Sequence, residues 1–288
     1  MTYKNKLNQV ELPETIHIDG EELSRLVSKS IKQDGKLVDI ARIFESELEL
    51  QIFYNSFGYV TIKDAIPMEI ISEIQYELEC IFKPFAVDDD NPVDSAIINL
   101  NKNDKTKLYE IHTCASKLNC FKAVGVHLNQ ILKKISNNEM PIMEIASGFL
   151  LSIPNDKRLV YDFHQESNYM KGFGDIINIH YPIFRNSNLE NGTMSLIPSS
   201  HNYGTLEFEK KRISKDSYTD LIPYKIEEIT LKLPEFHCQL DLGDCVFFHK
   251  DLIHKSNFNH SELCRPVGVS RFTQSLIGDW INRTPDEL

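Results

Sequence analysis

Residues 241–256 read Asp-Leu-Gly-Asp-Cys-Val-Phe-Phe-His-Lys-Asp-Leu-Ile-His-Lys-Ser. A Leu-Gly-Asp turn feeds an apolar strand, and that strand ends in two histidines, His249 and His254. Similar short β-type runs occupy 145–153, 175–184, 194–197, 229–233 and 267–273, with Gly, Asn, Pro and Ser clustered between them. Short strands punctuated by turn chemistry predict a sandwich or barrel.

Upstream the periodicity changes. Residues 1 to about 50 read as a polar helical extension: Leu23, Leu26, Val27 and Ile31 fall at helical spacing, and Val38, Ala41 and Phe44-Glu45 continue a second short segment. A β-rich run covers 57–62, and Pro67 then opens a helix whose buried face is Ile70, Ile71, Ile74, Leu78, Ile81 and Phe82. The Asp- and Asn-rich stretch 86–105 reads as loop, and 117–136 as an amphipathic helix. The expected fold is mainly β with packed helices. A double-stranded β-helix core of jelly-roll, cupin-like form, at about 142–273, carries a helical N-terminal half within a single domain over 1–288.

The chain carries 31 Lys and Arg against 42 Asp and Glu, a net charge of −11. That balance argues against nucleic acid and against an anionic membrane surface as partner. No apolar run has the length of a membrane span, and the first residues lack an apolar signal core, so a cytoplasmic protein is expected. The six cysteines form no C-x-x-C pair, and they read as free thiols.

The chemistry concentrates at His164-Gln165-Glu166. Residues i and i+2 of a strand end share a side, so one imidazole and one carboxylate can face the same point. A second imidazole from a distant strand would complete a two-histidine, one-carboxylate facial triad for Fe(II), which leaves the opposite metal positions open. His249 and His254 both qualify as that ligand, and composition does not choose between them.

Four motifs in order resemble the phytanoyl-CoA dioxygenase family: His164-Gln165-Glu166; the stretch from Glu190-Asn191-Gly192 to Pro198-Ser199-Ser200-His201; Gly243-Asp244 with the two histidines; and Arg265. The resemblance covers roughly residues 50–273. It implies an Fe(II)- and 2-oxoglutarate-dependent dioxygenase that hydroxylates a small molecule with O₂, releasing succinate and CO₂. It makes His164, Glu166 and His254 the iron ligands and leaves His249 as a supporting residue. Arg265, eleven residues beyond His254, falls where the family grips the far carboxylate of 2-oxoglutarate, with Ser256 beside it. A guanidinium suits that task because it holds a carboxylate by two parallel charge-assisted hydrogen bonds. Arg271 is a rival for the same role.

Tyr181 aligns with an aromatic lining the co-substrate pocket; read alone it is a core residue of a strand. Lys107 matches a family lysine near the co-substrate; read alone it is a solvated surface lysine. The Pro198–His201 turn reads as structural, bordering the pocket mouth. Glu166 departs from the family's aspartate, adding one methylene and one torsion. The alternative function is a catalytically silent binding or scaffold protein on the same fold. A cupin-type enzyme without 2-oxoglutarate is a third reading, against which Ser256 and Arg265 argue.

Overall fold

Gln33-Asp34-Gly35-Lys36 joins β1 (Ile31–Gln33) to β2 (Lys36–Ile40) by a two-residue turn. Its central residues both have positive φ, 50° at Asp34 and 75° at Gly35, the conformation for which Asp-Gly is favoured. The helix expected across Val38–Phe44 is therefore replaced by this hairpin: β2 pairs with β1 and, in parallel, with β9 instead of coiling. The computed structural model describes residues 26, 31–136, 142–170, 173–212, 217 and 219–273. The helix expected over Leu23–Ile31 lies largely outside them, and Ile31 opens β1.

The helical layer follows. Helix α1 (Glu47–Phe57) is capped by Ser46, whose hydroxyl accepts the Glu49 N–H at 3.1 Å, and it ends on left-handed Gly58. After β3 (Tyr59–Ile62) come α2 (Met68–Phe82), α3 (Pro92–Asn103), α4 (Lys105–Ala115) and α5 (Asn119–Ser136). Helix α3 corrects the loop expected at 86–105. Pro92 starts the helix where no N–H is needed, and Val93, Ala96, Ile97 and Leu100 are its buried stripe.

The remaining elements are β4 (Met143–Ser152), β5 (Ile176–Pro182), β6 (Ser195–Leu196), β7 (Phe208–Lys211), β8 (Asp220–Pro223), α6 (Ile226–Lys232), β9 (Phe236–Gln239), β10 (Cys245–His249), β11 (His254–Lys255) and β12 (Arg265–Thr273). Helix α6 corrects the strand expected at 229–233: Ile226, Ile229 and Leu233 pack on Ile197 and Ile253 at helical spacing.

Two five-stranded sheets result, β1-β2-β9-β6-β11 and β3-β10-β5-β12-β4, with β7-β8 as a separate arm. The second sheet is buried on its outer face under the helices. Ile71, Ile74, Leu78 and Phe82 of α2 share a core with Phe149, Ile179, Tyr181 and Phe247. Its inner face is turned toward β6 and β11, and a cavity opens between the sheets. Alternation along β5 and β12 therefore decides which side chains enter the core and which enter the cavity. No described helix is long and apolar enough to cross a membrane.

Candidate active site

His164 and His254 form an isolated antiparallel bridge. His164 N–H donates to His254 O at 2.9 Å, and His254 N–H to His164 O at 3.1 Å. Pairing places the two rings side by side, centroids 4.2 Å apart. Each ring spends its Nδ1–H on the carbonyl two residues before it: Asp162 O at 2.7 Å for His164 and Leu252 O at 2.9 Å for His254. Those bonds fix the tautomer and leave each Nε2 with a free lone pair. Glu166 begins a short 3-10 turn that swings its carboxylate back, with Oε1 3.9 Å from His164 Nε2 and 3.8 Å from His254 Nε2. All three donor atoms lie within 4.8 Å of one another and all three residues are buried. Two imidazoles and one carboxylate in a buried pocket fit Fe(II), and they stand on one side of the point they share.

The protonation states agree with that use. Burial, then the neighbouring His254 ring, pull the His164 imidazole down to about 3, so it is neutral and able to ligate. Burial pushes the Glu166 carboxyl up, but the Arg271 guanidinium and the His254 ring together outweigh it and hold the group well below the ordinary carboxylate range. Arg271 Nε donates to Glu166 Oε2 at 2.8 Å and Nη2 to Oε1 at 3.3 Å.

Gln165 points the other way. Fully buried, its amide donates to Gly204 O at 2.8 Å and Asp251 O at 2.7 Å and accepts the Leu206 N–H at 2.8 Å. The middle residue of the motif thus ties its turn to two neighbouring loops. His249 is excluded from the triad: its Nδ1 accepts the Asp251 N–H at 3.1 Å, and its ring packs at a tilt against His201, centroids 5.5 Å apart. The Pro198–His201 turn braces this back side, with Ser200 Oγ accepting the Ile253 N–H at 2.8 Å just before the ligand His254.

The triad opens on a cavity of about 290 Å³ that Ser256, Arg265, His180 and Asn178 also line. Arg265 is 3% exposed. Its Nε donates to Asn191 O at 2.9 Å and Nη2 to Gly192 O at 2.7 Å. Gly192 can offer that carbonyl because it adopts φ +78°, and a Cβ there would stand 2.5 Å from Asn257 O. Among the described residues Arg265 Nη1 has no hydrogen-bond partner. Burial lowers the guanidinium to about 10, so it remains charged at neutral pH. A buried cation with a free donor, sharing a cavity with a metal triad, fits the far carboxylate of a dicarboxylate.

Two expected pocket residues lie elsewhere. Tyr181 is fully buried on the helix side of β5, its ring filling the space over Gly268 on β12, where a Cβ would come within 2.0 Å of it. Strand alternation turns its neighbours Asn178 and His180 into the cavity instead. His180, lowered to about 3 by burial and then by Arg265, is neutral. Lys107 sits on the exposed face of α4, paired with Glu110 at 3.4 Å, away from the cavity. The signal for Asn178 and His180 was in the sequence, as the polar alternates of an otherwise apolar strand. Arg271 shares a strand face with Arg265, Val267 and Val269, and it contacts Glu166 rather than taking the role of Arg265.

The sequence profile of the phytanoyl-CoA dioxygenase (PhyH) family matches residues 54–267. The chain belongs to this family. It is therefore a PhyH member within the Fe(II)/2-oxoglutarate-dependent oxygenases, with the His164–Glu166–His254 triad intact. A probable phytanoyl-CoA dioxygenase from Caenorhabditis elegans is 21% identical over 257 residues, covering 81% of each chain. The fold is shared with EvdO2 from Micromonospora carbonacea var. aurantiaca, solved with 2-oxoglutarate: TM-score 0.56, 13% identity, covering 83% of this chain and 94% of that one. It is shared also with SnoK, a non-heme alpha ketoglutarate dependent carbocyclase from nogalamycin biosynthesis: TM-score 0.52, 15% identity, covering 81% and 85%. The fold shared with these structures is the double-stranded β-helix expected from the strand pattern.

Proposed function

We propose that this protein hydroxylates a small molecule, consuming 2-oxoglutarate and O₂ and releasing succinate and CO₂. The observation that carries the reading is the free Nη1 of buried Arg265 in the same cavity as the triad. His164, His254 and Glu166 would hold Fe(II), the carboxylate adding one negative charge to the two imidazoles. Arg265 takes the distal carboxylate of 2-oxoglutarate and Ser256 adds a hydroxyl donor. Iron with 2-oxoglutarate bound supplies the activation of O₂. The chain's own task is to order these groups and exclude water: Leu150, Met194, Phe248 and Val267 line the cavity with apolar surface. Its volume is at the small end for ligand sites, which suits a small substrate or the end of a longer one. A carboxylate at position 166 fills the metal position that a halide would need, which favours hydroxylation.

The test is succinate formation from 2-oxoglutarate in air, with and without added Fe(II). Slow turnover without substrate, dependent on iron and falling at least tenfold in His254→Ala, supports the reading. Iron binding with no succinate across a panel of substrates would instead favour a silent scaffold.

A further inference from the structure

The three metal donors are each held by a second group, but not by the same kind. The two imidazoles lean on backbone carbonyls two residues before them in the chain. Glu166 is the longer and more flexible ligand, and it leans on a side chain from across the sheet. Arg271 stands on β12 in register with Asn178 of β5 and Ala146 of β4, just before the register shift at Phe272. Its Nε–H meets Glu166 Oε2 at 2.8 Å, and its weaker contact is to Oε1, at 3.3 Å. The Glu166 side chain is 9% exposed and that of Arg271 22%.

An unbraced glutamate has one more torsion than aspartate and could offer both oxygens to a cation. Two-oxygen ligation would occupy a metal position that the co-substrate or O₂ needs. The planar fork of an arginine fixes both the position and the tilt of a carboxylate.

We infer that Arg271 is a positioning residue for the metal carboxylate: it occupies Glu166 Oε2 so that only Oε1 is presented to iron. This rests on reading Glu166 as an iron ligand. Glu166 and Arg271 act as one unit of matched length. Shortening the acid to aspartate withdraws the carboxylate by up to about 1.5 Å, one C–C bond, which takes the Nε contact out of hydrogen-bonding range. Simple charge repulsion makes the opposite forecast, because deleting a cation beside a metal site should tighten metal binding.

The experiment is anaerobic Co(II) titration of the full chain, followed by the visible bands and by calorimetry. It compares wild type, Arg271→Met, Arg271→Lys, Glu166→Asp and the double variant Glu166→Asp with Arg271→Met, all checked for fold by circular dichroism. The expected loss in Arg271→Met is 10- to 100-fold in affinity, the usual cost of removing a group that orients a ligand. Arg271→Lys recovers part of it. In the Glu166→Asp background the Arg271→Met change costs less than about threefold, because the brace is already broken. Unchanged or tighter binding in Arg271→Met, or an equal loss in both backgrounds, overturns the inference while leaving the iron site standing. Failure of wild type to bind Co(II) overturns both.

Discussion

Replacing Arg265 with glutamine should separate co-substrate binding from iron binding. Two of its donors are committed to Asn191 O and Gly192 O, and Nη1 is free in a nearly dry site. A hydrogen bond to a charged group is worth about 1.5–3 kcal/mol. Truncating one partner of a buried ion pair costs about 3–5 kcal/mol. Taking about 3 kcal/mol, 2-oxoglutarate affinity should fall roughly 10²-fold. Glutamine can still donate to one of the two carbonyls, which limits the damage to the Asn191-Gly192 turn. Arg265 makes no hydrogen bond to the triad, so metal affinity should stay within about threefold. The assay pairs the 2-oxoglutarate dependence of succinate formation with Co(II) calorimetry in the absence of 2-oxoglutarate. A parallel loss of metal affinity, or an unchanged 2-oxoglutarate requirement, would refute the assignment.

Other outcomes follow from the same geometry. Tyr181→Phe removes a buried hydroxyl that has no partner among the described residues, so it should leave 2-oxoglutarate dependence unchanged and stability equal or higher; a rise in the 2-oxoglutarate requirement would return Tyr181 to the pocket. Gly192→Ala should cost about 2 kcal/mol or more from positive φ and the clash with Asn257 O, lowering the melting temperature and weakening 2-oxoglutarate binding together. His164 and His180 have folded values near 3, below the ordinary imidazole value, so the unfolded chain binds more protons between the two. The stability of the metal-free protein should therefore fall as pH drops below about 6.5, by up to roughly 1.4 kcal/mol per pH unit for each group. A melting temperature flat between pH 6.5 and 5 would contradict their burial as neutral rings.

Much of the site is legible from residue types because few arrangements use two imidazoles and a carboxylate with this spacing. What the residues alone could not decide is partnership across strands. His254 rather than His249 completes the triad because His254 bridges His164, a register invisible to composition. Tyr181 and His180 are adjacent, and a displacement of one residue on a strand exchanges core for cavity. Arg271 follows Arg265 at an even interval, which puts it on the same face, but its carboxylate partner comes from a turn over a hundred residues earlier. Local signals also compete within one stretch. Asp34-Gly35 is a hairpin signal inside an apparently helical stretch. Residues 229–233 are too short an apolar run for periodicity to separate helix from strand. Pro92 opens a helix within a stretch whose polar composition suggested loop.

The central claim is that His164, Glu166 and His254 hold iron while Arg265 holds 2-oxoglutarate in one cavity. Its most direct test is the weak visible charge-transfer band that forms when Fe(II) and 2-oxoglutarate are added together to the protein without oxygen. The band should appear with one iron per chain, vanish in a folded His254→Ala variant, and require roughly 10²-fold more 2-oxoglutarate in Arg265→Gln. No band in the wild type, or a band that survives His254→Ala, would contradict the account.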